Sequence, residues 1–444
     1  MVLAFGFVPM HGIGGSKDLP IPAELAVAGA VAALAVSFTV LAVAWRRPRY
    51  DAATQGRPVP GWWQDTVDGE VFHWVLRALG LAFFAYVGWA AVAGPDLVVN
   101  PFFGVVYVWL WVGLVPMSLL FGPFIRAVSP VRTLHLLLSR AMRTDPEHGV
   151  VRLPDRVGVW PGALGLFAFV WMELVYPEST YLVPLRLWFA LYLGITFLGA
   201  AVFGSRWLAA ADPFEVFSTL VGHLSVLGRR ADGRLVLRSP LANLDGVPPS
   251  PGLVAVVAVL FGSTAFDSFK DSSHWLRFVQ SVDVDRQLVN TLALITFCLV
   301  VGVTFAAATM STGVRSGTNR RELPDRFAHA VVPIIVGYIT AHYLSYFVVV
   351  GQTTLIQLSD PMVNGSNLLG TAGLATGYWI IEHPTFLATV KVLAVVTGHV
   401  VGVIASHDRA IKLLPPRHQL TGQLPLLAVM VFYTVTGLLL LFSS

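Results

Sequence analysis

Residues 327–352, FAHAVVPIIVGYITAHYLSYFVVVGQ, and 383–409, HPTFLATVKVLAVVTGHVVGVIASHDR, are each long and apolar enough to cross a bilayer. Both nonetheless carry ionisable side chains at depth. In the first, Tyr338, His342 and Tyr346 recur at i, i+4 and i+8, which places polar groups on one helical face. In the second, Lys391 and His399 sit within the apolar run. Ionisable groups in hydrocarbon are costly unless they face a partner or a wet cavity, so these residues are the first candidates for a functional site.

The rest of the chain is of the same kind. Of 444 residues, 55% are hydrophobic and 12% are charged, with mean hydropathy +0.70, against roughly 25% charged in a soluble domain. The predicted fold class is all-α, a polytopic transmembrane helix bundle forming a single membrane domain over 1–444. Apolar runs begin near Ile21, Phe72, Pro101, Pro161, Tyr181, Pro251, Gln287, Phe327, Pro384 and Leu424, about ten spans, the run after Pro251 being the shortest. A single cysteine, Cys298, excludes a disulfide framework and any CxxC metal knuckle.

The formal charge of +4 belongs to loops rather than to a nucleic-acid surface. Loops 45–71, 121–160, 204–250, 311–326 and 407–423 hold 22 of the 29 Lys and Arg residues. By the positive-inside rule these loops are cytoplasmic, both termini are extracytoplasmic, and the chain belongs in a cell membrane. The first ten residues have no basic n-region and do not read as a complete signal peptide.

Two cytoplasmic loops share a layout. Residues 128–143, VSPVRTLHLLLSRAMR, and 211–230, ADPFEVFSTLVGHLSVLGRR, each open with an N-cap and a proline, Ser129-Pro130 and Asp212-Pro213, and Glu215 completes a capping box. Each predicts an amphipathic helix on the cytoplasmic surface. The shared order fits an internal repeat of about 101–176 and 181–268, its units related by an axis along the membrane normal. Two unrelated interfacial helices would produce the same pattern.

At roughly 1.5 Å of rise per residue, His342 and Lys391 share a level roughly 10–14 Å below the outer surface. Near that level lie Glu173 and Arg186, and the run FGSTAFDSFKDSSHW brings Asp267, Lys270, Asp271 and His274. A polar pocket in the outer half of the bundle is the expectation; a structural ion pair of Lys391 with Glu173 or Asp267 is the competing reading for that lysine. His399 lies deeper, with His329 as its expected neighbour. Its rise from His342, roughly 9 Å, is too great for one mononuclear metal, whose ligands approach to about 2.1 Å. An intramembrane histidine or a tyrosine face also serves as interhelical glue, so packing is the competing reading for each of these residues. No HExxH, GxSxG or GxxxxGK[ST] motif is present.

Four stretches together resemble the fenitrothion hydrolase-like family of bacterial, largely actinobacterial, integral membrane proteins. They are HGIGGSKDLPIP at 11–22, STAFDSF at 263–269, HAVVPIIVGYITAHYLSYFVVVGQ at 329–352 and GHVVGVIASHDRA at 398–410. The resemblance implies hydrolysis of an organophosphorus triester at its aryl ester bond. Metal-bound hydroxide is the usual nucleophile for such chemistry. On that expectation a divalent ion (Zn, Cu or Mn) is held by His342, Asp267 and Asp271 or His274. Lys391 then steadies developing charge, and Tyr338 and Tyr346 line the approach of a small lipophilic substrate from the membrane lipid. A proton- or ion-coupled transporter or channel is the rival reading. A third is a redox protein with His342 and His399 as axial haem ligands.

Overall fold

The computed structural model describes residues 16–314 and 319–442; His11 and the first ten residues lie outside them. Among the described residues, nine helices are long and apolar enough to cross a membrane, or ten if a bent pair counts as one span. The chain is a multi-pass helical membrane protein, as its apolar runs predict. The face of the bundle on which the first span begins, beside the turn Ser16–Asp18, is here called the terminal face. The opposite face carries the arginine-rich loops.

The outer ring begins with α1 (Ala23–Ala44) and α2 (Glu70–Ala93), whose most apolar windows are only 22% and 17% buried. Next comes a bent span, α3 (Pro101–Val112) and α4 (Leu114–Phe121), broken by 44°. Residues Val105–Val112 form a π-helix, whose wider turns end at Gly113. A Cβ there would press on the Trp109 carbonyl and on Phe347, so glycine permits the bend.

Two short helices, α5 (Phe124–Val128) and α6 (Pro130–Ala141), then lead to α7 (Trp160–Leu174) and to α8 (Leu182–Phe203). A second short pair follows, α9 (Ser205–Ala211) and α10 (Pro213–Gly222). The remaining spans are α11 (Leu253–Lys270), α12 (Arg286–Met310), α13 (Val332–Gln357), α14 (Pro384–Leu413) and α15 (Leu424–Leu441).

The run after Pro251, shortest in the sequence, forms the core. The window of α11 is 72% buried and that of the span containing α13 is 67% buried. Small residues make this packing close. Gly262 of α11 lies against the Cys298 backbone of α12, Gly337 and Gly398 bring α13 and α14 together backbone to backbone, and Gly402 lies against the Ala330 carbonyl just before α13.

The two short pairs are helical hairpins that turn inside the bundle rather than lying on its surface. Tyr192, the eleventh of 22 residues in α8, donates its hydroxyl to Asp212 Oδ2 at 3.0 Å. The α9/α10 turn therefore reaches mid-depth. Gly80, eleventh of the 24 residues of α2, packs on the Val128 carbonyl, which places the α5/α6 turn at a similar depth. Each turn is capped as its sequence predicts: Ser129 accepts from Arg132 N, and Asp212 from Phe214 N and Glu215 N. Arg132 and Glu215, each three residues past its cap, join the hairpins through a two-pronged ion pair with Nη2 2.6 Å from Oε1.

The expectation of amphipathic surface helices holds in part for α6, where Leu138 and Arg140 are exposed. It fails for α10, buried at nine of its ten residues. The polar side chains that mimic a solvent face there are satisfied internally: Glu215 by Arg132, and Ser218 by Ser118 at 2.9 Å.

On the arginine-rich face three short strands, β1 (Arg57–Pro58), β2 (Leu227–Arg229) and β3 (Leu235–Leu237), form an antiparallel sheet in the order β1-β3-β2. The SHDR end of α14 is an anchor for this face. Asp408 accepts from Trp45 Nε1 at 3.1 Å and Arg49 N at 2.6 Å, and His407 Nε2 meets the Trp45 carbonyl at 2.9 Å.

Candidate functional site

Helix α11 ends in FDSFK, so Asp267 and Lys270 are one turn apart and pair at 3.0 Å between Nζ and Oδ1. Helix α13 packs beside it and presents Tyr338 and His342 from the predicted polar face. His342 Nε2 is 2.9 Å from Asp267 Oδ2, and His342 Nδ1 is 3.1 Å from Ser268 Oγ. Tyr338 donates its hydroxyl to Ser268 Oγ at 2.9 Å, and Tyr343 donates to Asp267 Oδ2 at 2.7 Å. The rings reinforce this order: Tyr338 and His342 are parallel within 5°, and Tyr343 meets His342 edge-on at 4.6 Å.

The hydrogen-bond inventory assigns the protons. Asp267 accepts from His342, Tyr343 and Lys270, so the imidazole carries a hydrogen on Nε2; with that single hydrogen it keeps a lone pair on Nδ1. Ser268 can then donate either to that lone pair or to the Thr264 carbonyl 3.2 Å away. The result is a continuous line, Tyr338 to Ser268 to His342 to Asp267, in which every member is at most 5% exposed. A hydroxyl, an imidazole and a carboxyl group in this sequence are the parts of a nucleophile, its base and the group that orients the base.

Glu173, near the end of α7, stands within electrostatic reach of Asp267 and Lys270. Its Oε2 is sealed from solvent with no hydrogen-bond partner among the described residues. Tyr346 is buried and its ring lies 6.5 Å from that of Tyr343. Asp267, His342, Glu173, Tyr338 and Tyr346, drawn from three spans, are thus gathered as the sequence predicts.

Other expected members stand apart. Lys391 is fully buried, but the charge it faces is Asp18, in the short turn Ser16–Asp18, and it does not pair with Glu173. Asp271 is exposed at the end of α11, within reach of Lys270. His274 is exposed on the neighbouring helix Ser273–Ser281 beside Arg277. His399 turns its Nδ1 to the Val395 carbonyl of its own helix at 2.9 Å. His329 packs against Ala405, farther along α14.

Among the described residues this arrangement does not bring the ligand sets expected from the sequence together. Both ring nitrogens of His342 are engaged, one by Ser268 and one by Asp267. Among the described residues no group of three or more His, Cys, Asp or Glu side chains is placed to hold a metal ion.

Sequence reasoning missed Ser268 and Tyr343. Each is adjacent to a residue it singled out, Asp267 and His342, but neither falls on the i, i+4 stripe that drew attention there. No protein-family model, curated protein or solved structure matches the chain.

Proposed function

We propose that this protein is a membrane-embedded hydrolase of lipophilic esters, with His342 as general base, Ser268 as the hydroxyl it activates and Asp267 as the carboxylate that orients His342. The observation that carries this reading is the unbroken hydrogen-bonded line Ser268–His342–Asp267 inside the bundle. An aryl phosphotriester, the class implied by the resemblance to fenitrothion hydrolase-like proteins, is the first substrate to try.

In the first step Ser268 Oγ attacks phosphorus while its proton passes to His342 Nδ1. The bond from phosphorus to the aryl oxygen breaks, and the aryl oxide takes the proton. Water then attacks the phosphoseryl intermediate, gives its proton through His342 back to Ser268, and releases the phosphodiester. Asp267, held by Lys270 and Tyr343, stabilises the imidazolium that forms in each step. A positioned general base contributes roughly 10²–10⁴-fold. On the orientation read from the arginine loops, the site faces the outside of the plasma membrane.

The test is turnover of an aryl phosphotriester and a nitrophenyl carboxylic ester by purified protein. Ser268→Ala and His342→Gln are expected to abolish both activities. Turnover that survives Ser268→Ala but stops with a chelator would contradict the proposal in favour of a metal-bound nucleophile.

A proton-coupled transporter is the second reading, favoured by the two hairpins that turn at mid-depth with proline at the first helical position. Interrupted helices at matching places are the signature of such proteins. Uptake into proteoliposomes that collapses with the proton gradient would select it.

A further inference from the structure

A cavity of about 850 Å³ is framed by α2, the bent span and α8. Its walls are apolar, with aromatic side chains such as Phe83, Phe102, Trp109 and Phe189 among aliphatic ones. That volume is within the roughly 300–1,000 Å³ of pockets that hold a discrete ligand. The windows of α2 and α8 are each only 17% buried, so the cavity adjoins the part of the surface that meets lipid. Along α2 it extends from Gly80 to Val92, a rise of roughly 18 Å. This is close to one leaflet, half of a hydrocarbon core roughly 30 Å thick.

One end of the cavity holds a cation. Arg186 is four residues inside the start of α8, at the level where α2 ends, and its Nε and Nη2 hydrogen bond to the Ala91 and Gly94 carbonyls. Guanidinium has five donors, so Nη1 is left to bind something else, and among the described residues no acidic side chain pairs with Arg186. At this depth a long cationic side chain meets lipid phosphate. The other end is closed by the hairpin turns at Ser129 and Asp212.

We propose that this cleft is a binding site for a glycerophospholipid of the terminal-face leaflet. Its acyl portion fills the apolar cavity and its phosphate is held by Arg186. The charge at the mouth, the leaflet-length apolar run and the position beside the lipid-facing helices together fit an anionic amphiphile supplied by the bilayer. The inference is independent of the hydrolase reading, since none of its residues belongs to the Ser268 line.

Native mass spectrometry of protein purified in mild detergent, with lipid extraction from the same sample, tests it. The unsubstituted protein is expected to retain a phospholipid. Gly88 lines the cavity and a Cβ there meets nothing within 4 Å, so Gly88→Phe is expected to fill the space and abolish retention. Gly88→Leu serves the same purpose if the larger side chain prevents folding. Arg186→Gln is expected to lower retention about tenfold, the effect of losing a charge-assisted hydrogen bond, and Arg186→Lys to preserve it. Retention unchanged by Gly88→Phe and Gly88→Leu would overturn the site. A retained fatty acid or neutral lipid, or retention indifferent to Arg186→Gln, would overturn its phospholipid assignment.

Discussion

Replacing Asp267 with asparagine keeps the shape of the side chain while removing its charge and one of its acceptor oxygens. Donors among the described residues converge on the native carboxylate, including His342 Nε2 at 2.9 Å, Tyr343 OH at 2.7 Å and Lys270 Nζ at 3.0 Å. Hydrogen bonds to a charged group are worth about 1.5–3 kcal/mol each, against about 1 kcal/mol for neutral ones. Breaking a buried ion pair from one side costs about 3–5 kcal/mol. The Lys270 side chain is 20% exposed and Glu173 is within its reach, so its charge is not wholly stranded. A loss of about 3 kcal/mol, the lower end of that range, is therefore expected.

The effect on chemistry is larger. The amide that takes the place of the carboxylate presents a donor to His342, which favours the tautomer with its hydrogen on Nδ1 and removes the lone pair that Ser268 requires. Turnover is expected to fall by roughly 10⁴-fold, the scale set by loss of the correct tautomer in other such lines. Thermal unfolding in detergent and ester hydrolysis rates measure the two effects separately. Because the members act as a unit, combining Asp267→Asn with His342→Gln should lower the rate hardly further than His342→Gln alone. An Asp267→Asn protein with native turnover and native stability would refute the reasoning.

The hairpin clasp makes a signed prediction of its own. Arg132→Met leaves Glu215 buried without its partner and should cost about 3–5 kcal/mol, whereas Arg132→Met with Glu215→Met should be close to neutral; denaturant titration of the three variants measures both. At the α13/α14 seam, Gly398→Val forces the Pro333 carbonyl away from α14. A loss of about 1–3 kcal/mol, the usual effect of overpacking, is expected in thermal unfolding.

The bundle was legible because hydropathy alone reports helices that must satisfy their backbones internally. Within it, the stripe of Tyr338 and His342 and the buried Asp267 pointed to one place, since lipid tolerates such groups only where they meet. Two features were not legible. Lys391 shares the depth predicted for Glu173, yet depth says nothing of azimuth, and on α14 it faces Asp18 instead. The polar periodicity of Pro213–Gly222 reads as a surface helix, because a sequence pattern cannot distinguish water from an internal partner. Arg132, Ser118 and Tyr192 supply the partners, from segments between 20 and 100 residues away. The π-turns of Val105–Val112 likewise carry no distinct composition.

The central question is whether Ser268 is a nucleophile made reactive by His342. Peptide mapping by mass spectrometry after treatment with a membrane-permeable fluorophosphonate measures this directly. The predicted result is a covalent adduct on Ser268 that is absent in Ser268→Ala and strongly reduced in His342→Gln. Protein that remains unlabelled at Ser268, or labelling there that is indifferent to His342, would contradict it.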